Sequence, residues 1–458
     1  MLSIWKAPWT VTLDAFARRI KHSISERAFM KEPVYIVDGV RTPFAKAGTT
    51  LADIEAVELG KAAVALLVAR TGIDPSKIEE VIFGCVAQPV DAANVGRVIA
   101  LRAGIPESVP AITVHRNCAS GFEAVTQAAE KMLAGRGDIF IVGGVESMSQ
   151  IPLFYSYEAA KKFGAFARAK NLSQKLGALS SFRPTDFQPR IGLQLGLSDP
   201  VCGCNMGQTA ENVSRDFNVT REEQDTFAMR SHHKAVAARE KLQQEITPVY
   251  LPKAKNGQTF MEQDNGPREN QTMEALAKLK AFFEPDTGTV TAGNSSQITD
   301  GAAALLLMTE RALKGSGLTP LGRLEGYAYA GLDPSRMGLG PVYAIHRAEQ
   351  KTGLSLKDAD IIEINEAFAA QVIACQKAAK LEAYSRKHLQ RETALGEIPD
   401  EILNVNGGGI ALGHPVGVTG SRLVLTALKE LHRRNANRAL VSLCVGGGQG
   451  GALWLNRT

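Results

Sequence analysis

The sequence predicts an α/β protein built from two consecutive β-α-β-α-β-β halves, with a loop domain inserted into the first. Three observations carry that expectation. Apolar runs of strand length alternate with segments of helical period, which implies mainly parallel sheets covered on both faces by helices. The same order of elements then occurs twice. A polar, irregular stretch, roughly Pro152 to Thr289, interrupts the first half. At 458 residues the chain exceeds one ordinary core. The expected division is an extension at 1–32, a first half at 33–151 and 290–315, a loop domain at 152–289 and a second half at 316–458.

In chain order, the extension carries an apolar stripe at Trp9, Leu13, Phe16, Ile20 and Ile24, the pattern of an amphipathic helix. Asp14 and Glu26 count against a transit peptide. The folded body begins with a strand at Pro33 to Asp38. The first repeat then reads strand (Val81 to Val86), helix (Asn94 to Ala103), strand (Ala111 to Val114), helix (Ala119 to Ala134) and strand (Ile139 to Val145). One helix, about Gln208 to Lys241, is expected inside the interruption, and the apolar run Ala304 to Met308 follows it. The second repeat reads strand (Ile361 to Ile364), helix (Ala367 to Ala379), strand (Leu403 to Asn406), helix (Gly420 to Arg433), strand (Ala439 to Leu443) and strand (Gly451 to Leu455). Gly446 to Gly451 is too short for a parallel crossover, so the closing strands return antiparallel. An insertion after the carboxyl end of a strand commonly builds a substrate site, and residues 152–289 are assigned to ligand binding.

Composition narrows the function. With 45% hydrophobic and 22% charged residues and no long uncharged apolar run, the chain reads as soluble and globular, without a transmembrane helix. Its six scattered cysteines argue for a reducing compartment, cytoplasmic or, as the alternative, the mitochondrial matrix. Cys202 and Cys204 have no second pair at ligand spacing, so no metal site is expected. The net charge of +5 is concentrated in residues 1–31 and 157–200, the latter holding Lys161, Lys162, Arg168, Lys170, Lys175, Arg183 and Arg190. Neither segment interleaves charge with aromatics in a nucleic-acid module, so no nucleic acid is expected as partner.

The chemistry-bearing residues gather at strand-to-helix turns. Cys118 lies where the run Pro110 to Val114 gives way to a helical pattern. A helix N-terminus favours a thiolate and offers N–H groups to an oxyanion. A small buried apolar residue is the other reading of that position. Asn365 and Glu366 follow a strand directly and open a helix. His414 stands in the glycine-rich stretch Gly407 to Gly420, at the turn of the second half that matches the turn holding Cys118. Cys444 ends the last parallel strand before Gly446, Gly447 and Gly448. Pseudo-twofold packing of the halves would bring these turns face to face. An imidazole beside a thiol, a second thiol able to move a proton, and N–H groups for a developing negative charge suit acyl transfer.

NCASG, GGVESMS, GTVTAGNSSQITDGAAA, NEAFAAQ, GGGIALGHPVGVTGSR and CVGGGQGGA, in this order and spacing, make the chain from about Pro33 onward resemble the thiolases, the acetyl-CoA acyltransferase family. The resemblance implies a layered α-β-α-β-α core and thiolytic cleavage of a 3-ketoacyl-CoA by coenzyme A. The alternative within the family is acetoacetyl-CoA formation from two acetyl-CoA. It implies that Cys118 is the acylated nucleophile, that His414 activates it, and that Cys444 is the acid/base. One oxyanion hole would be formed by His414 and a water held by Asn365, the other by the backbone N–H groups of Cys118 and Gly446. Ser296 and Met206 would contact coenzyme A, and Phe368 would sit beside the acyl chain. Coenzyme A enters as a substrate, with no permanently bound cofactor. A homodimer or tetramer is implied.

The segment SRKHLQRETALGEIPD and the basic loop at 157–200 resemble thiolase subunits of fatty-acid β-oxidation complexes. They raise the expectation of a hydratase/dehydrogenase partner subunit or of peripheral contact with an anionic membrane. Asn365 departs from that subgroup, which often has histidine there. Asn205 stands where short-chain biosynthetic members usually have histidine. The same fold serves decarboxylating synthases and non-enzymatic lipid carriers, but the joint presence of Cys118, His414 and Cys444 favours an enzyme.

Overall fold

Strands whose residues are apolar on both faces must be covered twice, and the packing follows that rule. A computed structural model describes residues 32–458 except residue 256. The helix expected at Trp9–Ile24 lies outside the described residues. The first half runs β1 (Val34–Arg41), α1 (Ala56–Thr71), β2 (Glu80–Gly84), α2 (Val95–Arg102), β3 (Ala111–Val114), α3 (Ser120–Leu133) and β4 (Ile139–Ser147). The insertion holds α4 (Tyr157–Arg168), α5 (Leu172–Ser180), α6 (Met206–Asp216) and α7 (Arg221–Ala237), after which β5 (Thr299–Thr309) closes the half. The second half runs β6 (Gly322–Gly331), α8 (Gly340–Thr352), β7 (Ile361–Ile364), α9 (Ala369–Lys380), α10 (Thr419–Arg434), β8 (Arg438–Val445) and β9 (Gln449–Arg457).

The strands hydrogen-bond in the order β7-β8-β9-β6-β1-β5-β4-β2-β3, and the short strand Ala45–Lys46 pairs with β5. Parallel pairing joins β2 to β3 and β4, and β7 to β8. The closing strands of both halves are antiparallel, β5 on β4 and β9 on β8, as the short Gly446–Gly451 link requires. A brief antiparallel seam, Val34 opposite Leu324 to Ile36 opposite Gly322, connects the halves.

Side-chain alternation turns this sheet into layers. Along β5, Ala304 and Leu306 pack with Leu59, Val64 and Leu67 of α1 and Ile99 of α2. Leu305 and Leu307, on the other face, share a cluster with Phe122 and Val125 of α3, Leu423 and Leu428 of α10, and Val441 and Leu453 of the second half. Leu440 and Trp454 face outward onto Val342 of α8 and Val372 of α9. The result is α-β-α-β-α, with α3 and α10 enclosed between the sheet halves. Two glycines let those helices meet at their N-terminal ends. A Cβ on Gly121 would lie 2.7 Å from the Ser421 nitrogen, and one on Gly420 would strike the Phe122 nitrogen.

Several expected elements differ. The opening strand expected at Pro33 to Asp38 is β1, but the helix α1 after it, and the strand and helix β6 and α8 that open the second half, precede the repeat and are not among the expected elements. The expected strand Leu403–Asn406 is only a single parallel bridge between Ile362 and Leu403. Asn404 turns left-handed at φ 45°, which ends the ladder. Its side-chain amide then takes over, accepting from the Ile364 N–H and donating to the Ile364 carbonyl, both at 2.9 Å. The helix expected over Gln208–Lys241 is broken between α6 and α7, where Asn218 has φ 47° and Thr220 caps α7 with Glu223 in a capping box. The insertion is also less irregular than expected. Ser156 and Asn171 cap α4 and α5 through the Ala159 and Gln174 N–H groups. No described helix is long and apolar enough to cross a membrane.

Candidate active site

The meeting of α3 and α10 sets the site, because the loop before each carries a reactive group. After β3 the chain turns at Asn117, φ 43°, a left-handed conformation that asparagine tolerates. The Arg116 N–H donates to Ser120 Oγ at 2.9 Å, and Ser120 Oγ donates to the Asn117 carbonyl at 2.7 Å. This knot aims Cys118 at the N-terminus of α3. Asn117 Nδ2 donates to the Gly446 carbonyl at 2.7 Å, fixing the next peptide. The N–H groups of Gly446 and Cys118 both point at the Cys118 sulfur and favour its anion.

Burial nonetheless dominates. It raises the Cys118 thiol to about 11, against the two N–H groups that lower it. The thiolate expected from the helix terminus alone is therefore not the resting state, because desolvation outweighs those favourable contacts. Cys444, buried at the end of β8, is raised well above the ordinary thiol range by burial first and then by the nearby Cys118 sulfur.

His414 approaches from the opposite turn. Its Nδ1 lies 2.6 Å from Thr419 Oγ1, and that hydroxyl donates to the Pro415 carbonyl at 3.2 Å. With its hydrogen so used, the hydroxyl accepts from Nδ1–H, which leaves Nε2 bare. Asn365 Nδ2 lies 3.4 Å from Nε2, in keeping with that tautomer. Burial, and then the Arg422 charge, push the imidazolium down to about 3, so the ring is neutral. Asn365 Oδ1 is buried with no hydrogen-bonding partner among the described residues.

Two buried acids hold these loops, Glu146, to which the sequence reading gave no role, and Glu366, which it placed only at a strand end. Glu146 at the end of β4 accepts from the N–H groups of Val86 (3.1 Å), Ala87 (2.8 Å) and Gly417 (2.8 Å), tying the His414 loop to the loop after β2. Removing it would leave the buried Gly417 N–H without a partner, at about 1–3 kcal/mol, and release the part-buried Val86 and Ala87 N–H groups. Glu366 accepts from Ser231 Oγ (2.6 Å), Asn404 Nδ2 (2.9 Å) and the Ile410 N–H (3.2 Å), anchoring the glycine-rich loop to α7 and β7. The available signal was a lone acid inside or just beyond an otherwise apolar strand.

Cys118, His414, Cys444 and Gly446 open onto one cavity of about 730 Å³, which Ser296, Met206 and Phe368 also line. Asn365 stands behind His414 and does not line it. The Ser296 N–H donates to the Ala367 carbonyl at 2.9 Å, stitching the AGNSS loop to the NEAF segment. Much of the remaining wall is apolar and comes from the insertion, Pro152, Phe154, Leu193, Leu197 and Val201, with Ile151 just before it. Asn205 caps α6 in a capping box with Gln208. The segment Ser385–Asp400 lies elsewhere. Its Leu389, Leu395 and Ile398 pack on the outer helix layer, and it borders a separate open cleft rather than the catalytic cavity.

A partly exposed thiol with two N–H groups at its sulfur, sharing one cavity with an unprotonated imidazole nitrogen and a second thiol, can accept an acyl group and have a proton moved beside it. Comparison with known proteins bears on that chemistry. Residues 34–311 match the family model "Thiolase, N-terminal domain", and residues 318–457 match "Thiolase, C-terminal domain". A 3-ketoacyl-CoA thiolase of Pectobacterium atrosepticum is 40% identical over 93% of this chain and 97% of its own. The human mitochondrial 3-ketoacyl-CoA thiolase, solved in complex with CoA, is 34% identical, with a TM-score of 0.79 over 93% of this chain and 98% of that one. An acetyl-CoA acetyltransferase of Bacillus anthracis is 38% identical, with a TM-score of 0.81 over 93% and 99% of the two chains.

Proposed function

The chain belongs to the thiolase family, and from that premise we propose that it is a 3-ketoacyl-CoA thiolase, cleaving its substrate with coenzyme A to acetyl-CoA and a shortened acyl-CoA. The observation that carries this reading is the convergence of Cys118, His414 and Cys444 on one cavity. His414 Nε2 takes the Cys118 proton as the sulfur attacks the 3-keto carbonyl. The carbon–carbon bond breaks, and the acetyl-CoA carbanion takes a proton from Cys444. Coenzyme A, deprotonated by Cys444, then removes the acyl group from Cys118. The Cys118 and Gly446 N–H groups stabilise the oxyanion at the acylated carbon. His414 and a water held at Asn365 Oδ1 stabilise the enolate of the departing acetyl-CoA. Ser296 and Met206 contact coenzyme A, which is a substrate rather than a resident cofactor, and Phe368 flanks the acyl chain, its ring 5.9 Å from that of Phe283.

Cys444 moves a proton in both half-reactions, but only the carbon–carbon step leaves a carbanion that must be protonated, whereas coenzyme A can also reach the acyl group as its own solvent-formed thiolate, and this separates Cys444 from Cys118. Cys444→Ala is expected to reduce 3-ketoacyl-CoA cleavage by about 10²–10⁴-fold, and to spare more of the exchange between a simple acyl-CoA and coenzyme A. Equal loss in the two assays would remove the role.

The apolar wall supplied by the insertion supports longer acyl chains over the acetoacetyl-CoA reading. The volume lies within the about 300–1,000 Å³ typical of small-molecule sites. In thiolysis assays the ratio kcat/KM is expected to be higher for 3-ketohexadecanoyl-CoA than for acetoacetyl-CoA; the reverse order would favour the short-chain reading. The same proposal includes the domain division 33–151 with 290–315, 152–289 and 316–458, a homodimer or tetramer, and a cytoplasmic setting. A hydratase/dehydrogenase subunit or an anionic bilayer remains the proposed peripheral partner. Support comes from α4 and α5, where exposed Tyr157, Leu172, Leu176 and Leu179 accompany Lys161, Arg168, Lys170 and Lys175. Flotation of the full chain with anionic vesicles, and not with neutral ones, is the expected result for the bilayer.

A further inference from the structure

Cys202 and Cys204 are reactive groups that the transfer reaction leaves unused. They sit in a loop closed by the antiparallel bridge between Ser198 and Asn205. The Asp199 N–H donates to the Cys204 carbonyl at 2.8 Å, and the Gly203 N–H returns to the Asp199 carbonyl at 3.0 Å. Asp199 Oδ1 accepts from the N–H groups of Val201 (2.8 Å) and Cys202 (3.0 Å), so the backbone around the pair is held. Gly203, at φ 72°, supplies the left-handed step that reverses the chain between the cysteines. The turn folds the Cys204 side chain back over its partner residue, its Sγ donating to the Cys202 carbonyl at 3.7 Å.

The location gives the pair its interest. Pro200 and Val201, immediately before it, line the catalytic cavity, and Met206, two residues after it, lines the same cavity. Both cysteines are partly exposed, whereas Cys85, Cys375 and Cys444 are buried. Thiol–disulfide exchange requires access to the attacking sulfur and a nearby second thiol to resolve the intermediate. Among the described residues this loop meets both conditions outside the catalytic pair itself.

We propose that Cys202 and Cys204 form a reversible disulfide at the mouth of the catalytic cavity, made by exchange with a low-molecular-weight disulfide and formed ahead of any modification of Cys118. One thiol of the pair, as its thiolate, attacks a sulfur of the small disulfide. A sulfur–sulfur bond forms to the protein as the original one breaks, and one small thiolate leaves and is protonated. The second protein thiol loses its proton and attacks the mixed disulfide, closing the ring and releasing the other small thiol. The two protein thiols lose two electrons and two protons in all, and the small disulfide becomes two thiols. A closed ring of two cysteines and one glycine is exposed and small, which makes it a labile, readily reduced bond rather than a structural one.

The test treats the fully reduced chain with glutathione disulfide, denatures and alkylates it, and maps each cysteine-containing peptide by mass. The expected result is loss of both alkylation sites on the Cys202–Cys204 peptide, with an internal disulfide that dithiothreitol reverses, while Cys118 remains alkylated. Cys204→Ser, which cannot close the ring, is expected to retain one glutathione on Cys202. Persistence of both free thiols, two glutathiones on the pair, or earlier loss of Cys118 would each overturn the proposal. So would a Cys204→Ser chain without the adduct. The readout is a peptide mass, independent of whether the chain prefers long or short acyl substrates.

Discussion

Cys118→Ala is expected to lower 3-ketoacyl-CoA cleavage by at least about 10⁴-fold, and acyl exchange between thioesters by a similar factor. The substitution removes only the sulfur. The residue-118 N–H, the Gly446 N–H and the Asn117 bond to Gly446 all remain, so whatever rate survives measures the oxyanion site and proximity alone. The loss should therefore appear in kcat, with coenzyme A binding little changed. Both half-reactions pass through the same acyl–sulfur bond in the proposed mechanism, and this distinguishes Cys118 from Cys444. A variant within tenfold of the parent rate would remove Cys118 from the nucleophile's role.

His414→Ala is expected to lower kcat by about 10²–10⁴-fold. Its pH dependence is more telling than its size. With the Cys118 thiol raised to about 11 and the imidazole lowered to about 3, the two groups rest as neutral thiol and neutral base. The parent enzyme transfers the proton internally, and these two groups impose no titration near neutrality. Without the imidazole, attack depends on the fraction of thiolate, which grows with pH until the thiol's own value is passed. The variant's rate should rise about tenfold per pH unit below about 11, and added imidazole should restore part of it at neutral pH. A pH-independent variant would contradict the pairing. The same histidine makes folding acid-sensitive. Its folded value is depressed below 6.5, so the unfolded chain binds the proton first, and stability falls as pH drops from about 6.5 toward 3. His414 contributes a slope of ~1.4 kcal/mol per pH unit; His232, lowered to about 4 by burial, adds its own, so the Ala variant should show a shallower acid loss than the parent rather than none.

Periodicity made the layered halves legible wherever a helix or strand presents a clear apolar pattern, as in α3, β4 and β9. It missed α1 and α8, where no element was assigned, and it failed at Leu403, where an asparagine side chain imitates a strand partner. The helices α4 and α5, absent from the expected elements, bury almost nothing, and the caps at Ser156 and Asn171 were the signal that could have found them. Cys118 and His414 could be placed opposite each other because the two halves repeat, and Gly121 and Gly420 supply the close approach that makes the prediction geometrically possible. The resting protonation could not be read in advance. A helix N-terminus suggested a low thiol pKa, while the burial that reverses it exists only once the two halves close over the turn. Glu146 escaped for a related reason, since its donors come from two stretches far apart in the chain, Val86 with Ala87 and Gly417.

The central claim is that the acyl group rests on Cys118 between the two half-reactions. It is tested most directly by mixing the enzyme with a 3-ketoacyl-CoA in the absence of free coenzyme A, quenching in acid and mapping the protein by mass. The expected result is the shortened acyl group on the peptide containing Cys118, matched by released acetyl-CoA and discharged when coenzyme A is added. Acetyl-CoA release without an adduct on Cys118, or with the acyl group on Cys444 instead, would contradict the account.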